Sequence, residues 1–289
     1  MAKLVRNPAD SIRDKLLNLA RAENQIFDVI LVRYGLERLL SRLAQSKYRD
    51  SYVLKGGMLV MAWIDDGNRF TRDADFLGFG DAGEQDPLER FRVIMSAEDS
   101  DGLRFDTDAL RATAIREQGE YGGVRLTTTA YLGNTRIPVT IDIGYGDVLA
   151  DSTQFIDYPT LLGAKSPRVR AYPPATVVSE KFQAMVSLGI VNTRMKDYYD
   201  LWAIPKFMPI EARDLDKAIR STFSRRQTDI PKTCPPGLSA EFYTDAAKQH
   251  QWAAYARSIN LDEITLVELA KAIWDYVGPA CERLSTAIK

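Results

Sequence analysis

The chain has 289 residues, of which 45% are hydrophobic and 27% are charged, proportions that exclude a mainly disordered, collagen-like or membrane-embedded protein. Its 38 basic and 39 acidic residues give a net charge of −1, so any surface that attracts nucleic acid must be local. The one histidine, His250, lies in a polar stretch typical of a solvated surface residue, and two cysteines are too few for a disulfide framework or a zinc site built from four thiolates. If the protein is an enzyme, its catalysis is expected to depend on carboxylates, lysines and metal ions.

The N-terminal half combines helix and strand patterns. Two amphipathic helices are predicted first, followed by a short buried strand, a Gly-Gly turn and a short helix. Three β-branched strands are expected later, and the last two are joined by a hairpin turn at Gly133-Asn134. The predicted helices cover residues 7–22, 24–44, 58–64 and 87–95, and the predicted strands cover 52–54, 74–79, 110–115, 124–132 and 136–143, with a turn at 65–68.

The C-terminal half is predicted to be helical. Prolines at 159, 167, 173 and 174 lie in a stretch with little periodicity, which indicates a connection between two domains, residues 1–165 and 166–289. The sequence has neither a leader-type apolar segment nor 18 uninterrupted apolar residues, which predicts a cytoplasmic protein without a membrane partner. Helices are expected at 175–188, 193–204, 211–223, 240–257 and 265–286, with a proline-rich loop at 227–237.

Asp73 and Asp75 lie in one predicted strand and are the first candidates for chemistry. Side chains two positions apart on a strand share a face, with Cα atoms roughly 6.6 Å apart, so both carboxylates should point at one place. Because the two charges repel each other, a divalent cation is expected between them, and Mg²⁺ prefers oxygen ligands. Asp142 interrupts a later apolar strand and is either a third ligand or a structural acid paired with Arg125 or Arg136.

Gly56 and Gly57 lie between a predicted strand and a predicted helix. A glycine turn at the start of a helix exposes backbone N–H groups to an anion, and phosphate suits such a position. Together with the acids, this turn predicts a two-metal site for nucleotidyl transfer, in which the ions hold the attacking and leaving oxygens. Asp142 would then bridge a metal ion or accept the proton of the attacking hydroxyl.

Lys181, Asp197 and Asp200 are the candidates of the C-terminal half. Lys181 lies on a predicted helix that has an apolar face. Its ammonium group either reaches a triphosphate or extends into solvent, as in an ordinary surface lysine. Asp197 and Asp200 are three residues apart on a predicted helix, where they either orient Lys181 or Arg194 or are simply solvated.

A local surface for RNA would need basic and aromatic side chains together. Tyr198, Tyr199 and Trp202 have helical spacing, which fits a core better than a stacking platform for bases. The basic candidates are Arg69, Arg72, Lys181, Arg194, Lys196, Arg225 and Arg226.

The order of these motifs resembles the AbiEii/AbiGii nucleotidyltransferase toxin family, part of the DNA polymerase β-like superfamily. The resemblance extends from about residue 50 to residue 202. It implies an α+β fold, with a polymerase β-like mixed sheet flanked by helices and a helical C-terminal domain that completes the active-site cleft. The matching runs are Lys55-Gly56-Gly57, Arg69-x-Thr71-x-Asp73-x-Asp75, Ile141-Asp142-Ile143, Glu180-Lys181 and Lys196-Asp197-x-Tyr199-Asp200-Leu201.

This resemblance also implies a function. The protein would be the toxin of a bacterial toxin–antitoxin pair, with a cognate antitoxin protein as a partner. It would use Mg²⁺ to transfer NMP from a nucleoside triphosphate to an RNA acceptor such as the 3′ end of tRNA.

Residue roles follow from the same resemblance. Asp73 and Asp75 would hold metal, with Asp142 as a third acid, while Lys181 would contact phosphate and Asp197 would complete the catalytic site. The nucleotide-binding residues would be Gly56, Gly57, Arg69, Thr71, Lys181 and Lys196.

Thr71 has a second implied role, because phosphorylation of the hydroxyl two residues before the first Asp inactivates some relatives. A phosphate dianion beside two carboxylates would repel the triphosphate. Two residues depart from the family pattern: Met58 replaces a Thr or Ser that would contact phosphate, and Ala74 replaces the usual Ile. Two alternatives stay open: nucleotidylation of a protein or small-molecule hydroxyl, and a non-catalytic binding module.

Overall fold

A computed structural model describes residues 8–64, 69–80, 83–115, 122–146, 153–261 and 263–286. The described residues divide into two compact units. Those within 1–62, 70–147 and 153–171 form the first unit, and those within 63–69, 148–152 and 172–289 form the second. The predicted turn at 65–68 lies outside the described residues, and the predicted domain boundary between residues 165 and 166 stays a prediction.

Four α-helices are found among the described residues of the N-terminal half. Proline suits the start of α1 because the first N–H groups of a helix have no partner within it. Helix α2 is buried along most of its length and packs on the sheet of the first unit. The bounds are Pro8–Ala22 for α1, Phe27–Gln45 for α2, Gly56–Trp63 for α3 and Gln85–Met95 for α4.

The strands of the first unit form one mixed eight-stranded sheet. Their order is β3-β5-β6-β2-β1-β8-β7, and β4 pairs with β5. The pairs β1–β8 and β2–β6 are parallel, and the other pairs are antiparallel. The strands are Tyr52–Lys55 (β1), Asp73–Gly78 (β2), Leu103–Phe105 (β3), Arg111–Ile115 (β4), Gly123–Leu132 (β5), Thr135–Tyr145 (β6), Gln154–Asp157 (β7) and Arg168–Ala171 (β8).

The predicted hairpin is confirmed. Leu132 pairs with Thr135, so Gly133 and Asn134 form a two-residue loop, and Gly133 has a φ of +58°, which favours glycine. The prediction of an irregular connection in the proline-rich stretch is wrong in part, because β8 lies there and pairs with β1 at Leu54 and Ala171. Strands β3 and β7 were not predicted either.

The described part of the second unit is helical from residue 174 onwards. Thr265 and Glu268 form a reciprocal cap at the start of α10: the Glu268 N–H donates to Thr265 Oγ1 at 3.2 Å, and the Thr265 N–H donates to Glu268 Oε2 at 2.9 Å. The single helix predicted over 240–257 is wrong. Asp245 ends α8 and caps α9 by accepting from the Lys248 N–H at 2.9 Å. The helices are Pro174–Leu188 (α5), Met195–Phe207 (α6), Ala212–Arg225 (α7), Ala240–Thr244 (α8), Ala246–Ser258 (α9) and Leu266–Thr286 (α10).

The predicted fold class is confirmed: a mixed sheet flanked by helices is followed by a helical C-terminal region. Short apolar strands at the centre of the sheet set the position of the acids. Ala74 and Phe76 on β2 are fully buried, so the alternate residues of that strand point to the opposite face.

Candidate active site

Three carboxylates converge on one face of the sheet. Strand β2 begins at Asp73, and its parallel pairing with β6 places Asp75 directly beside Asp142. One carboxylate oxygen from each of Asp73, Asp75 and Asp142 lies within 4.8 Å of the others. The structure therefore brings together the three acids that the sequence selected, at the spacing that the strand period predicts.

Asp75 is the acid whose ionisation is most affected by its surroundings. Burial raises its pKa to about 6, and the negative charge of Asp73 acts in the same direction. Lys55 and the N–H of Gly57 oppose this shift. Asp73 has a local partner of its own, because Thr71 Oγ1 donates a hydrogen bond to its Oδ1. Asp75 therefore binds a proton more readily than an ordinary carboxyl group and lies beside a second acid.

The Gly-Gly turn packs directly against this group. Strand β1 ends at Lys55, and Gly56 begins α3 with a φ of +64°. A Cβ atom at Gly56 would lie 1.9 Å from Asp75 Oδ2, so only glycine fits there. The Gly57 N–H donates to Asp75 Oδ2 at 3.3 Å. This N–H, predicted to bind phosphate, contacts the carboxylate of Asp75 instead in this structure.

Met58, where the family pattern has Thr or Ser, is fully buried, and its carbonyl accepts a hydrogen bond from Tyr158 at 3.2 Å. It is a core residue of the first unit.

Asp142 has an arginine partner as well as a place in the acid group. Arg125 on β5 donates from Nε to Asp142 Oδ1 and from Nη2 to Oδ2, both at 2.7 Å. The side chain of Arg125 is 48% exposed and that of Asp142 is 19% exposed. Arg136, the other predicted partner, lies over the ring of Tyr131. Asp142 therefore both pairs with Arg125 and lies in the acid group, so the two predicted roles are compatible with each other.

The acid group fits a hard divalent cation. Its potential ligands are all carboxylate oxygens, the donor type that Mg²⁺ and Mn²⁺ prefer. The raised pKa of Asp75 reflects repulsion from Asp73 as well as burial, and a cation placed among the oxygens would remove that repulsion.

A second charged cluster lies within the second unit. Arg69 donates from Nε and Nη2 to the two oxygens of Asp200, at 2.7 and 3.0 Å. Lys181 Nζ lies 2.6 Å from Asp197 Oδ1 and 2.9 Å from Asp200 Oδ2. The side chains of Arg69 and Asp200 are 3% and 0% exposed, and those of Lys181 and Asp197 are 13% and 9% exposed. Two cations and two anions thus neutralise each other in the interior.

This cluster shifts the pKa values of its members. Burial alone would raise the pKa of Asp200, but the charges of Lys181 and Arg69 outweigh it and hold that pKa at about 2. Burial would lower the pKa of Lys181, but Asp197 and Asp200 outweigh it, so that pKa is raised. Arg69, Lys181 and Asp200 are therefore charged at neutral pH. The interpretation of Lys181 as an ordinary surface lysine is wrong, and the expectation that Asp197 and Asp200 orient it agrees with these contacts.

The predicted basic surface is reduced by this cluster, because Arg69 and Lys181 are occupied in buried ion pairs. Arg72, Arg194 and Lys196 are exposed. The aromatic residues Tyr198 and Tyr199 are buried, as their helical spacing predicted.

The chain matches a known protein family over most of its length. A model of the nucleotidyl transferase AbiEii toxin family, a type IV toxin–antitoxin system, matches residues 38–278. The chain belongs to the AbiEii family. It is therefore a nucleotidyltransferase of a toxin–antitoxin system rather than a binding module, and its family implies a nucleoside triphosphate substrate and an antitoxin partner.

Two solved structures from Helicobacter pylori resemble this AbiEii-family chain. One is described as a nucleotidyltransferase, with 16% identity, a TM-score of 0.47 and coverage of 88% of this chain and 96% of its own. The other, JHP933, has 17% identity, a TM-score of 0.45 and coverage of 88% and 92%. No curated protein matches the chain.

Two cations beside the three acids, Lys55 and Arg125, were not predicted as functional residues. Lys55 pairs with Asp75 across β1 and β2, and the signal was a charge that ends an apolar strand immediately before Gly-Gly. Arg125 was considered only as a structural partner of Asp142. Within the described ranges, none of the helices has the length and apolar character needed to cross a membrane.

Proposed function

We propose that this AbiEii-family enzyme transfers NMP from a nucleoside triphosphate to an RNA acceptor, the 3′ end of tRNA, with Mg²⁺ held by Asp73, Asp75 and Asp142. The observation that supports this most is the convergence of three carboxylates beside a glycine turn at a helix start. When bound, divalent metal ions would polarise the α-phosphoryl group and stabilise charge on the attacking and leaving oxygens. The reaction would take place in the cytoplasm, where tRNA and nucleoside triphosphates occur together.

The chain's own residues have distinct tasks in this proposal. Asp73 and Asp75 would bind the divalent cation. The Gly57 N–H keeps the Asp75 carboxylate in position, and the Thr71 hydroxyl does the same for Asp73. An acceptor hydroxyl attacks the α-phosphorus, the bond to the bridging oxygen breaks, and pyrophosphate leaves. Asp142 is the residue proposed to accept the proton of the attacking hydroxyl.

The remaining assignments stay predictions. Lys181 and Asp197 are proposed to complete the site, and Gly56, Arg69 and Lys196 to bind nucleotide. Thr71 is proposed as a phosphorylation site, and its bond to Asp73 supports an effect of such a modification on the metal-binding acids.

A labelling experiment tests the acceptor. The protein is incubated with each α-³²P-labelled nucleoside triphosphate, Mg²⁺ and total tRNA, and RNA, protein and small molecules are separated afterwards. We expect labelled RNA with the wild type and with Asp157→Asn, an exposed acid of the first unit. Asp75→Asn should give no label. Label on protein or a small molecule would replace RNA as the acceptor, and equal labelling by Asp75→Asn would refute catalysis at this site.

Toxicity is tested separately by expression in bacteria. We expect wild type to arrest growth, Asp73→Ala to lose this effect, and co-expression of a small neighbouring reading frame to restore growth. Growth arrest that survives Asp73→Ala would contradict a catalytic toxin.

A further inference from the structure

Four neighbouring strands carry a row of charged residues across the sheet. Lys55 on β1 pairs with Asp75 on β2, Asp75 pairs with Asp142 on β6, and Asp142 pairs with Arg125 on β5. Residues paired in this way project from the same face of a sheet. Two residues of the acid group, Asp75 and Asp142, are therefore flanked by one cation on each side. Across the four strands the charges follow the order positive, negative, negative, positive.

The pair between Arg125 and Asp142 is well formed but exposed. Both oxygens of Asp142 accept from the guanidinium, yet almost half of the Arg125 side chain is in contact with solvent. Because almost half of this arginine side chain is solvated, its release from Asp142 leaves no buried cation unpaired, so the guanidinium can exchange partners. Arginine has five N–H donors in a planar arrangement that matches phosphate as well as carboxylate.

Two glycines lie next to this ion pair on the sheet. Two residues beyond Asp142, Gly144 on β6 pairs with Gly123 on β5, so neither strand carries a side chain at that point of the face. Lys55 Nζ lies 3.6 Å from the position that a Cβ of Gly144 would occupy. Gly144 therefore leaves room for the Lys55 ammonium close to the backbone, two residues along the strand from Asp142.

We propose that Arg125 is a phosphate-binding residue of the active site, which pairs with Asp142 in the free enzyme and exchanges that carboxylate for the triphosphate when nucleotide and divalent cation bind. This inference rests on the proposed metal and nucleotide site. A cation held by Asp142 takes over the charge compensation that Arg125 provides, and the incoming triphosphate supplies several negative oxygens within reach of an exposed guanidinium. Lys55 lies on the other side of the acids and stays beside Asp75.

A purely structural role for Arg125 makes the opposite prediction for metal binding. If Arg125 only oriented Asp142, its removal would weaken binding of a divalent cation, because the ligand would lose its support. If Arg125 is an exchangeable counter-ion, its removal takes a positive charge away from the acids, and binding of the cation alone is equal or stronger. Nucleotide affinity falls in both cases, so the metal measurement without nucleotide separates them.

The experiment compares wild type, Arg125→Gln, Arg125→Lys and Arg104→Gln. Arg104 is an exposed arginine of the same unit that lies on the ring of Tyr131, so its replacement controls for loss of one positive charge. Mn²⁺ binding without nucleotide is measured by electron paramagnetic resonance, and binding of a non-hydrolysable α,β-methylene triphosphate at saturating Mg²⁺ by calorimetry. Circular dichroism checks that every variant is folded.

We expect Arg125→Gln to bind Mn²⁺ at least as tightly as wild type and to bind the triphosphate about tenfold or more weakly, the usual loss for a charge-assisted hydrogen bond. Arg125→Lys should recover part of the triphosphate affinity, and Arg104→Gln should resemble wild type. Loss of Mn²⁺ affinity in Arg125→Gln, or unchanged triphosphate affinity, would overturn the proposal.

The wild-type arm distinguishes this inference from the proposed function. A wild type that binds neither Mn²⁺ nor triphosphate would refute both. A wild type that binds both but labels an acceptor other than RNA would leave the role of Arg125 intact and change only the acceptor.

Discussion

Gly56 is subject to two separate constraints, a positive φ and the carboxylate of Asp75 where a Cβ would be. We predict that Gly56→Ala both destabilises the protein and displaces Asp75. A left-handed conformation alone costs an alanine roughly 1–2 kcal/mol, and the contact with Asp75 adds to that cost. Urea unfolding and Mn²⁺ binding measure the two effects.

Gly163 is the matched control for this substitution. It has a φ of +67° and open space where a Cβ would be, so Gly163→Ala should show the conformational cost only and retain Mn²⁺ affinity. Equal losses of stability and Mn²⁺ affinity in the two variants would contradict the argument from Asp75.

Asp200 gives a pH prediction. Its pKa is about 2 in the folded protein against a usual 3.8, so its carboxylate stabilises the fold above pH 4, and this contribution is lost as the pH falls through the folded pKa. The shift corresponds to about 2 kcal/mol in full. We expect the difference in unfolding free energy between wild type and Asp200→Asn to narrow by about 1–2 kcal/mol between pH 6 and pH 2.5. A difference in unfolding free energy that stays constant between these two pH values would contradict the lowered pKa of Asp200.

The acids of the candidate site could be predicted from sequence because strand periodicity is local. Asp73 and Asp75 are two residues apart, and Asp142 interrupts an apolar strand. The partner of Arg69 could not be found this way, since Asp200 lies 131 residues further along the chain. The family resemblance assigned Arg69 to nucleotide binding, whereas in this structure its Nε and Nη2 donate to Asp200.

At the scale of elements, the contact between α5 and α6 contains a charge cluster that should contribute strongly to stability. Asp200 on α6 is fully buried between Arg69 and Lys181. Replacing it with Asn leaves two buried cations with one carboxylate, Asp197, and we predict a loss of about 3–5 kcal/mol in unfolding free energy.

Asp216→Asn is the control in the same unit. Asp216 accepts two hydrogen bonds from Arg283, at 2.8 and 2.7 Å, but that arginine is 47% exposed. Such a pair is worth at most about 1 kcal/mol. Urea unfolding measures the loss of unfolding free energy in both variants. Comparable losses would mean that burial does not determine how much the Asp200 cluster contributes to stability.

The strands that sequence analysis missed are short ones. Strand β3 has three residues, and β7 and β8 have four each, too few for an alternating pattern to stand out. Strand β8 is in addition held by pairing with β1, more than a hundred residues earlier, which no local pattern records. The hairpin strands β5 and β6 were predicted because they are rich in β-branched residues, and the central strands β1 and β2 because each lies beside a turn signal in the sequence.

At the scale of the whole molecule, the acid group should make stability depend on divalent cations. Mg²⁺ or Mn²⁺ that binds only the folded protein stabilises it by about 2.7 kcal/mol at a hundredfold excess over its Kd. We therefore predict that the melting temperature rises by on the order of 5 °C with Mn²⁺ in wild type and in the control Asp157→Asn. Asp73→Asn should show little response, and a rise equal to that of wild type would argue against this site.

The order of the two units along the chain has a consequence for engineering chimaeras. Arg69 precedes β2 in sequence but belongs with the helices of the second unit, where it accompanies Asp200. A helical segment transplanted from residue 172 onwards would leave that guanidinium behind in the donor. Recombination between homologous toxins should therefore transfer the short stretch around Arg69 together with the C-terminal helices, so that each hybrid inherits both halves of the pair.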